Sequence, residues 1–163
     1  MTSLGALLRL KTRRLELKPL RRADAAALRA ITDMPAIAGA IEFLPSPFTL
    51  AAARALIARN EDERECFVGV RRRGRLAGVV GAHRQNEERI EIGYWVGPAY
   101  QGQGIATEAA GAVVAALGEN FSVRIVAECR PENRASWRVL EKLGFRATGE
   151  EGARPGRKLL ALP

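Results

Sequence analysis

Ile90-Glu91-Ile92-Gly93-Tyr94-Trp95-Val96, followed after four residues by Gln101-Gly102-Gln103-Gly104-Ile105-Ala106, is the stretch that decides the fold. The first part is a run of strand-forming residues. The second opens a helical stretch reaching about Leu117, in which Ile105, Ala109, Val113 and Leu117 recur every four residues as one buried stripe. A strand therefore feeds a helix through a glycine-rich turn. Two glycines let the backbone approach an anion closely, and the first N–H groups of a helix, unpartnered within it, point toward whatever sits there. The same pair also suits a plain tight connector, and the turn alone does not choose between the two.

Outward from this turn the chain alternates strands and helices. Leu15 and Leu17 alternate with Arg14, Glu16 and Lys18, the period of a half-buried first strand. Residues 24–31 are alanine-rich and helix-favouring, with a break at Met34-Pro35. Two prolines bracket Ser46, so residues 42–48 are extended or turned, and Thr49 then caps a helix to about Asn60. Residues 66–70 and 76–82 form a hairpin through Arg71-Arg72-Arg73-Gly74-Arg75, whose arginine-rich tip reads as a solvated turn. Val123, Ile125, Ala127 and Cys129 mark another strand, Asn133 opens another helix, and residues 145–148 and 158–162 read as a closing hairpin. The pattern predicts an α/β (α+β) sheet of mixed direction in one domain over residues 1–163, with residues 1–12 as a short N-terminal extension.

Composition excludes several classes. Of 163 residues, 47% are hydrophobic and 27% charged, values of a globular domain that buries roughly 70% of its unfolded surface. No apolar run approaches the roughly 20 residues that span a bilayer. Leu4-Gly5-Ala6-Leu7-Leu8 has its positive charges after it, the wrong order for a secretory signal, so a cytoplasmic location without membrane contact is expected. Cys66 and Cys129 are isolated on strand-like segments and read as buried free thiols, and His83 is the single histidine, so no metal site is expected. A net charge of +8 favours an anionic partner.

Roughly 30 residues beyond the turn, Asn133-x-x-Ser136 begins the helix that ends in Leu140-Glu141-Lys142-Leu143-Gly144-Phe145. Gln101-x-x-Gly104-x-Ala106 after one strand and this second motif after the next resemble the GCN5-related N-acetyltransferase (GNAT) family, specifically its ribosomal-protein-acetylating, RimJ/RimL-type branch. The resemblance covers residues 13–162. It implies a mixed, mostly antiparallel twisted sheet of six to seven strands flanked by about four helices. In such a fold the strands at residues 90–96 and 123–129 splay apart and the pantetheine arm lies between them. It implies acetyl-CoA as co-substrate and a protein, peptide or small-molecule amine as acceptor, with RNA met only indirectly on the ribosome. Coenzyme A, ribosomal RNA or an acidic protein face would each answer the basic charge. Monomer and homodimer remain equally open.

By the same resemblance, backbone N–H groups from Gln101 and Gly102 through Gln103, Gly104, Ile105 and Ala106 to Thr107 hold the pyrophosphate. The backbone of Trp95 and Val96 pairs with the pantetheine amides as a neighbouring strand would. Asn133 bonds the cofactor arm, although asparagine is also a favoured N-cap where a helix opens. Acetyl transfer to an amine further needs a proton acceptor, a donor for the carbonyl oxygen and a partner for the departing sulfur. Glu91, on the strand ending at the turn, is the candidate base or else a charge on the solvent face; Glu128 is the second choice. A main-chain N–H near Val96 would serve the carbonyl oxygen. Many members place a tyrosine where Leu140 stands here; the ribosomal branch carries a serine one turn earlier, matched by Ser136, which reads as the thiolate partner or as a local cap. Gln101 stands where arginine is usual, and neither Glu150 nor Glu151 aligns with the carboxylate some members use there.

The acceptor expected is an N-terminal α-amine. With a pKa of 7.7–8.0 it loses its proton at neutral pH for about 1 kcal/mol, against roughly 4 for lysine, and no strongly marked base is present. The expected entrance is the Pro45-Ser46-Pro47-Phe48 loop facing the closing hairpin, with Phe43 and Phe48 packing against a peptide. Trp95 and Trp137 read as cleft wall or core. A dinucleotide-binding domain fails because Thr107 replaces the third glycine and only about 35 residues follow Glu128. A non-catalytic acetyl-CoA sensor keeps every one of these motifs.

Overall fold

The computed structural model describes residues 2–163. In chain order the elements are α1 (Leu4–Leu7), β1 (Leu10–Lys11), β2 (Leu15–Pro19), α2 (Ala25–Thr32), α3 (Pro35–Ala38), α4 (Leu50–Ala58), β3 (Glu65–Arg72), β4 (Arg75–Asn86) and β5 (Arg89–Val96). There follow α5 (Ile105–Asn120), β6 (Arg124–Cys129), α6 (Arg134–Lys142), β7 (Arg146–Glu151) and β8 (Lys158–Ala161). All eight strands lie in one sheet ordered β1-β2-β3-β4-β5-β6-β8-β7. The expected class holds, with more elements than expected: β1 is two residues long and α1 and α3 four each, too short to show a period in the sequence.

Alternation along the strands divides the core into two layers. Leu15, Leu17, Val68, Val80, Ile90, Ile92 and Ile125 face one way, under Ile105, Val113 and Leu117 of α5 and Leu140 of α6. Leu20, Phe67, Val79 and Trp95 face the other, against Leu28 of α2 and Ala53, Leu56 and Ile57 of α4. The first residues are built into the fold: Ser3 caps α1 by accepting the Ala6 N–H, Leu4 and Leu8 are buried in the first layer, and β1 pairs with β2. Thr49 caps α4 as the sequence indicates, accepting the Ala52 N–H at 3.1 Å. Asn60 ties the end of α4 to the sheet, donating to the carbonyls of Leu20 and Phe67 and accepting the Phe67 N–H. No helix among the described residues is long and apolar enough to cross a membrane.

One pairing differs from the rest. Every neighbouring pair is antiparallel except β5 and β6, which run parallel and match only at Arg89↔Arg124, Ile90↔Ile125 and Glu91↔Val126. Beyond that point β5 stays with β4 as far as Gly78↔Val96, while β6 stays with β8 as far as Cys129↔Lys158. The facing edges of Ile92–Val96 and Ala127–Cys129 therefore have no strand between them. This is the expected splay, opening toward the glycine turn.

Candidate active site

The wide end of the gap is bounded by the turn from β5 to α5. Gly102 and Gly104 have φ of 73° and 76°, a region costly for residues with a Cβ. A Cβ on Gly102 would meet nothing within 4 Å, and one on Gly104 would meet the Arg14 guanidinium at 3.5 Å, so Gly102 borders open space and Gly104 borders a cation. Gly104 is the N-cap of α5 and supplies no side chain to cap it. The first helical bond runs from Glu108 N–H to the Gly104 carbonyl, which leaves the N–H groups of Ile105, Ala106 and Thr107 without partners inside the helix. The glutamine side chains turn back onto the protein: Gln101 donates to the Val96 carbonyl at 3.0 Å and Gln103 to the Ala99 carbonyl at 3.2 Å. What the turn presents outward is thus backbone.

On the α5/α6 side of the gap, Tyr94 of β5 reaches α6. Its hydroxyl donates to the Ser136 carbonyl at 3.0 Å and lies 2.9 Å from Ser136 Oγ. With the phenol proton on the carbonyl, the serine hydroxyl is the donor between the two oxygens. Burial pushes the Tyr94 phenol up to about 12, so it stays protonated at neutral pH. Asn133 is the N-cap of α6 and accepts the Ser136 N–H at 3.2 Å. Cys129, buried and free, lies beside this pair, and burial raises its thiol. Leu140 is buried in the core, so the hydroxyl many relatives carry there is replaced by apolar packing. Trp137 donates its indole N–H to Glu141 and packs against the first layer.

The opposite face of the sheet carries carboxylates at the narrow end. Glu91 is 9% exposed and is no solvent-face charge. It is bonded by Gln85 and by the Arg154 guanidinium, while Glu128, on the diverging strand, accepts from Arg154 through Nε at 3.0 Å, Nη2 at 2.8 Å and the backbone N–H at 3.1 Å. One guanidinium therefore spans both strands where they part. The β7–β8 loop passes so close over Glu128 that a Cβ on Gly152 would overlap its carboxylate, which fixes glycine there. Sequence reasoning missed Arg154 and Tyr94. Arg154 sits in an Arg-Pro-Gly run that reads as an ordinary turn, and its partners are 63 and 26 residues away. Tyr94 was visible as a hydroxyl at a core-facing strand position, a signal that needed the place of α6 to be read.

A family model described as an acetyltransferase (GNAT) domain matches residues 14–146. The chain belongs to the GNAT acetyltransferase family. It is an N-acetyltransferase. The uncharacterized N-acetyltransferase YnaD of Bacillus subtilis is 32% identical over 126 residues, covering 74% of each chain. A GNAT-family acetyltransferase structure from Bacillus anthracis superposes with a TM-score of 0.79 at 27% identity, covering 94% of this chain and 96% of that one. RimL, the ribosomal L7/L12 alpha-N-protein acetyltransferase, solved with coenzyme A, superposes with a TM-score of 0.82 over 94% of this chain and 96% of its own. At 19% identity that likeness is one of fold.

In this GNAT enzyme the carboxylate face continues into an aromatic wall. Phe43, 43% exposed, stands 6.1 Å from the Phe67 ring and 6.4 Å from Trp95. The Arg59 guanidinium covers both phenylalanines, at 5.6 and 5.0 Å from their centroids. Phe48, expected to pack against a peptide, is fully buried in the second core layer, its N–H held by the Asp33 carboxylate at 2.9 Å. Apolar burial and that bond draw the proline segment inward and leave Phe43 as the exposed ring. Trp95 belongs to the core as well, its indole N–H donating to Thr32 at 3.1 Å. Arg157 bridges the β7–β8 loop to the Ala40 carbonyl at 3.1 Å, a contact made ahead of the Pro45–Phe48 segment rather than by it.

His83 lies in this wall, its ring 5.1 Å from Phe67 and its Nδ1 3.6 Å from Glu65, with Arg59 and Arg154 nearby. Burial pushes the imidazole below its ordinary 6.5, against the pull of Glu65. Unfolding frees an imidazole that takes up a proton more readily, so this contribution to stability is complete above about pH 6.5 and is lost as pH falls below it. In urea unfolding between pH 7.5 and 5, the wild type should therefore lose stability more steeply than His83→Gln. Parallel pH curves would show that His83 is not held neutral.

Proposed function

We propose that this enzyme transfers an acetyl group from acetyl-CoA to the N-terminal α-amine of a protein or peptide, by direct attack on the thioester. The observation that carries this reading is the division of the strand gap, with Glu91 and Glu128 on one face of the sheet and Ser136 and Tyr94 on the other. Aminolysis of a thioester needs a proton acceptor where the amine arrives and a hydrogen-bond donor where the sulfur leaves. RimL, described as acting on an α-amine and solved with coenzyme A, supports the same reading. A cytoplasmic location goes with it.

The residues present suit the co-substrate. Acetyl-CoA supplies an acetyl group already activated as a thioester. Backbone N–H groups between Gln101 and Thr107 hold the pyrophosphate in the open space beside Gly102, and the strandless edge of β5 at Trp95 and Val96 pairs with the amides of the arm. Asn133 gives its side-chain oxygen to Ser136 N–H and keeps its NH2 group for the arm. Glu91 accepts the amine proton. An α-amine, which needs about 1 kcal/mol to lose its proton at neutral pH, asks less of that carboxylate than a lysine, which needs roughly 4. The amine nitrogen forms the new amide bond, the C–S bond breaks, and the Ser136 hydroxyl turns its proton from Tyr94 to the departing thiolate.

Three measurements test this. Gly104→Val forces a β-branched residue into a left-handed backbone and fills the phosphate space, so calorimetric affinity for acetyl-CoA should fall at least tenfold in a folded protein; undiminished affinity would remove the site. Ser136→Ala should lower kcat by roughly tenfold or more with little change in acetyl-CoA dissociation constant, because a donor to the leaving sulfur acts in the transition state. A role confined to capping α6 would instead lower the melting temperature and leave turnover intact. Peptides with a free N-terminus and no lysine should be acetylated, and N-blocked peptides with one lysine should not. A higher kcat/KM for the blocked lysine peptide or a polyamine overturns the acceptor assignment, and acetyl-CoA binding without turnover on any amine makes the protein a sensor.

A further inference from the structure

The arginine-rich hairpin tip is solvated at Arg73, Gly74 and Arg75, as read from sequence, but the arginine that precedes them is tied to another segment. Arg72 crosses from the β3–β4 tip to bond Gln103 in the glycine turn, and Arg14, from the β1–β2 turn, crosses to Glu108 in the first turn of α5 at 3.2 Å. Two separate turns thus converge on one end of α5. Between them lies a recess of about 650 Å³ lined by Arg13, Arg14, Arg72, Arg73 and Glu108. Four guanidinium groups face one carboxylate. Among the described residues, neither Arg13 nor Arg73 has an ion-pair partner. The positive end of the α5 dipole adds to the same field. Arg73 is moreover the one described residue other than glycine with positive φ, at 51°, a conformation that glycine or asparagine would hold at less cost. Like charges gathered at such a point are unfavourable unless an anion joins them.

We infer that this recess is a subsite for a phosphate monoester, and that its occupant is the 3′-phosphate on the ribose of coenzyme A. The inference rests on the acetyl-CoA reading above. The recess adjoins the turn, since a Cβ on Gly104 would already touch Arg14. The backbone N–H groups of the turn serve the pyrophosphate, which leaves the dianionic monoester as the anion in need of side-chain cations. Guanidinium groups match its oxygens in pairs, which a lysine cannot do. The chain thereby recovers, from two other turns, the cationic contact that Gln101 does not provide.

Calorimetric titration with coenzyme A and with dephospho-coenzyme A, which keeps the pyrophosphate and lacks only the 3′-phosphate, tests this directly. The unmodified protein should bind coenzyme A roughly tenfold or more tightly than the dephospho form. In the Arg13→Gln/Arg73→Asn protein that preference should vanish through weaker binding of coenzyme A, while dephospho-coenzyme A binds within about twofold of its original affinity. Asparagine tolerates the left-handed backbone at 73, and the comparison of the two ligands on unmodified protein is independent of how the variant folds. Equal affinity for both ligands, or an equal loss of both in the variant, overturns the 3′-phosphate subsite and leaves the cofactor reading standing. Failure of the unmodified protein to bind either ligand overturns both.

Discussion

The parting of β5 from β6 after three matched residues is the constraint on which the rest of this molecule depends. Strand edges inside a folded protein carry N–H and C=O groups that must find partners, and an open wedge between two central strands leaves a row of them exposed to whatever enters. The sheet tolerates this because each strand is secured on its far side, β5 by β4 along its length and β6 by β8. Arg154 secures the narrow end by holding a carboxylate from each strand. Replacing two buried carboxylates' hydration with one guanidinium is stabilising only when the geometry is complete, and here Gln85 and the Arg154 backbone N–H complete it.

The same parting gives the site its two-sidedness. Residues alternate across a sheet, so Glu91 and Tyr94, three positions apart on one strand, project to opposite faces. A single strand thereby supplies a carboxylate to the side bounded by Phe43 and the β7–β8 loop and a phenol to the side bounded by α6. No helix or loop has to travel to bring the two chemistries together. The gap itself is the line between them.

What the sequence revealed is what short-range rules govern. The glycine turn, the caps at Thr49 and Asn133 and the Arg71–Arg75 hairpin each rest on a few consecutive residues, and each stands in the structure where it was read. The features that stayed hidden join distant segments. Arg154 meets Glu91 across 63 residues, Phe48 is drawn into the core by Asp33 and the α2–α4 layer, and Arg72 meets Gln103 across 31. An arginine's local sequence says that it is charged; only the fold says whether it faces water, a carboxylate or another arginine. For Tyr94 the residue and its face were legible and the partner was not.

The pairing of β1 with β2 bears on how the protein behaves in solution. An open sheet has two edges, and an unprotected edge is a template on which another chain can build. At one edge β7 is lined with Arg146, Glu150 and Glu151, all exposed, so an incoming strand would have to bury their charges. The other edge is β1, whose Leu10 and Lys11 cover the rim of β2, where Leu15 and Leu17 are buried. Leu10 and Lys11 are held by the anchoring of Leu4 and Leu8 in the core. Residues 3–11 are therefore a guard against strand-to-strand aggregation, and trimming them would exchange a shielded rim for an adhesive one.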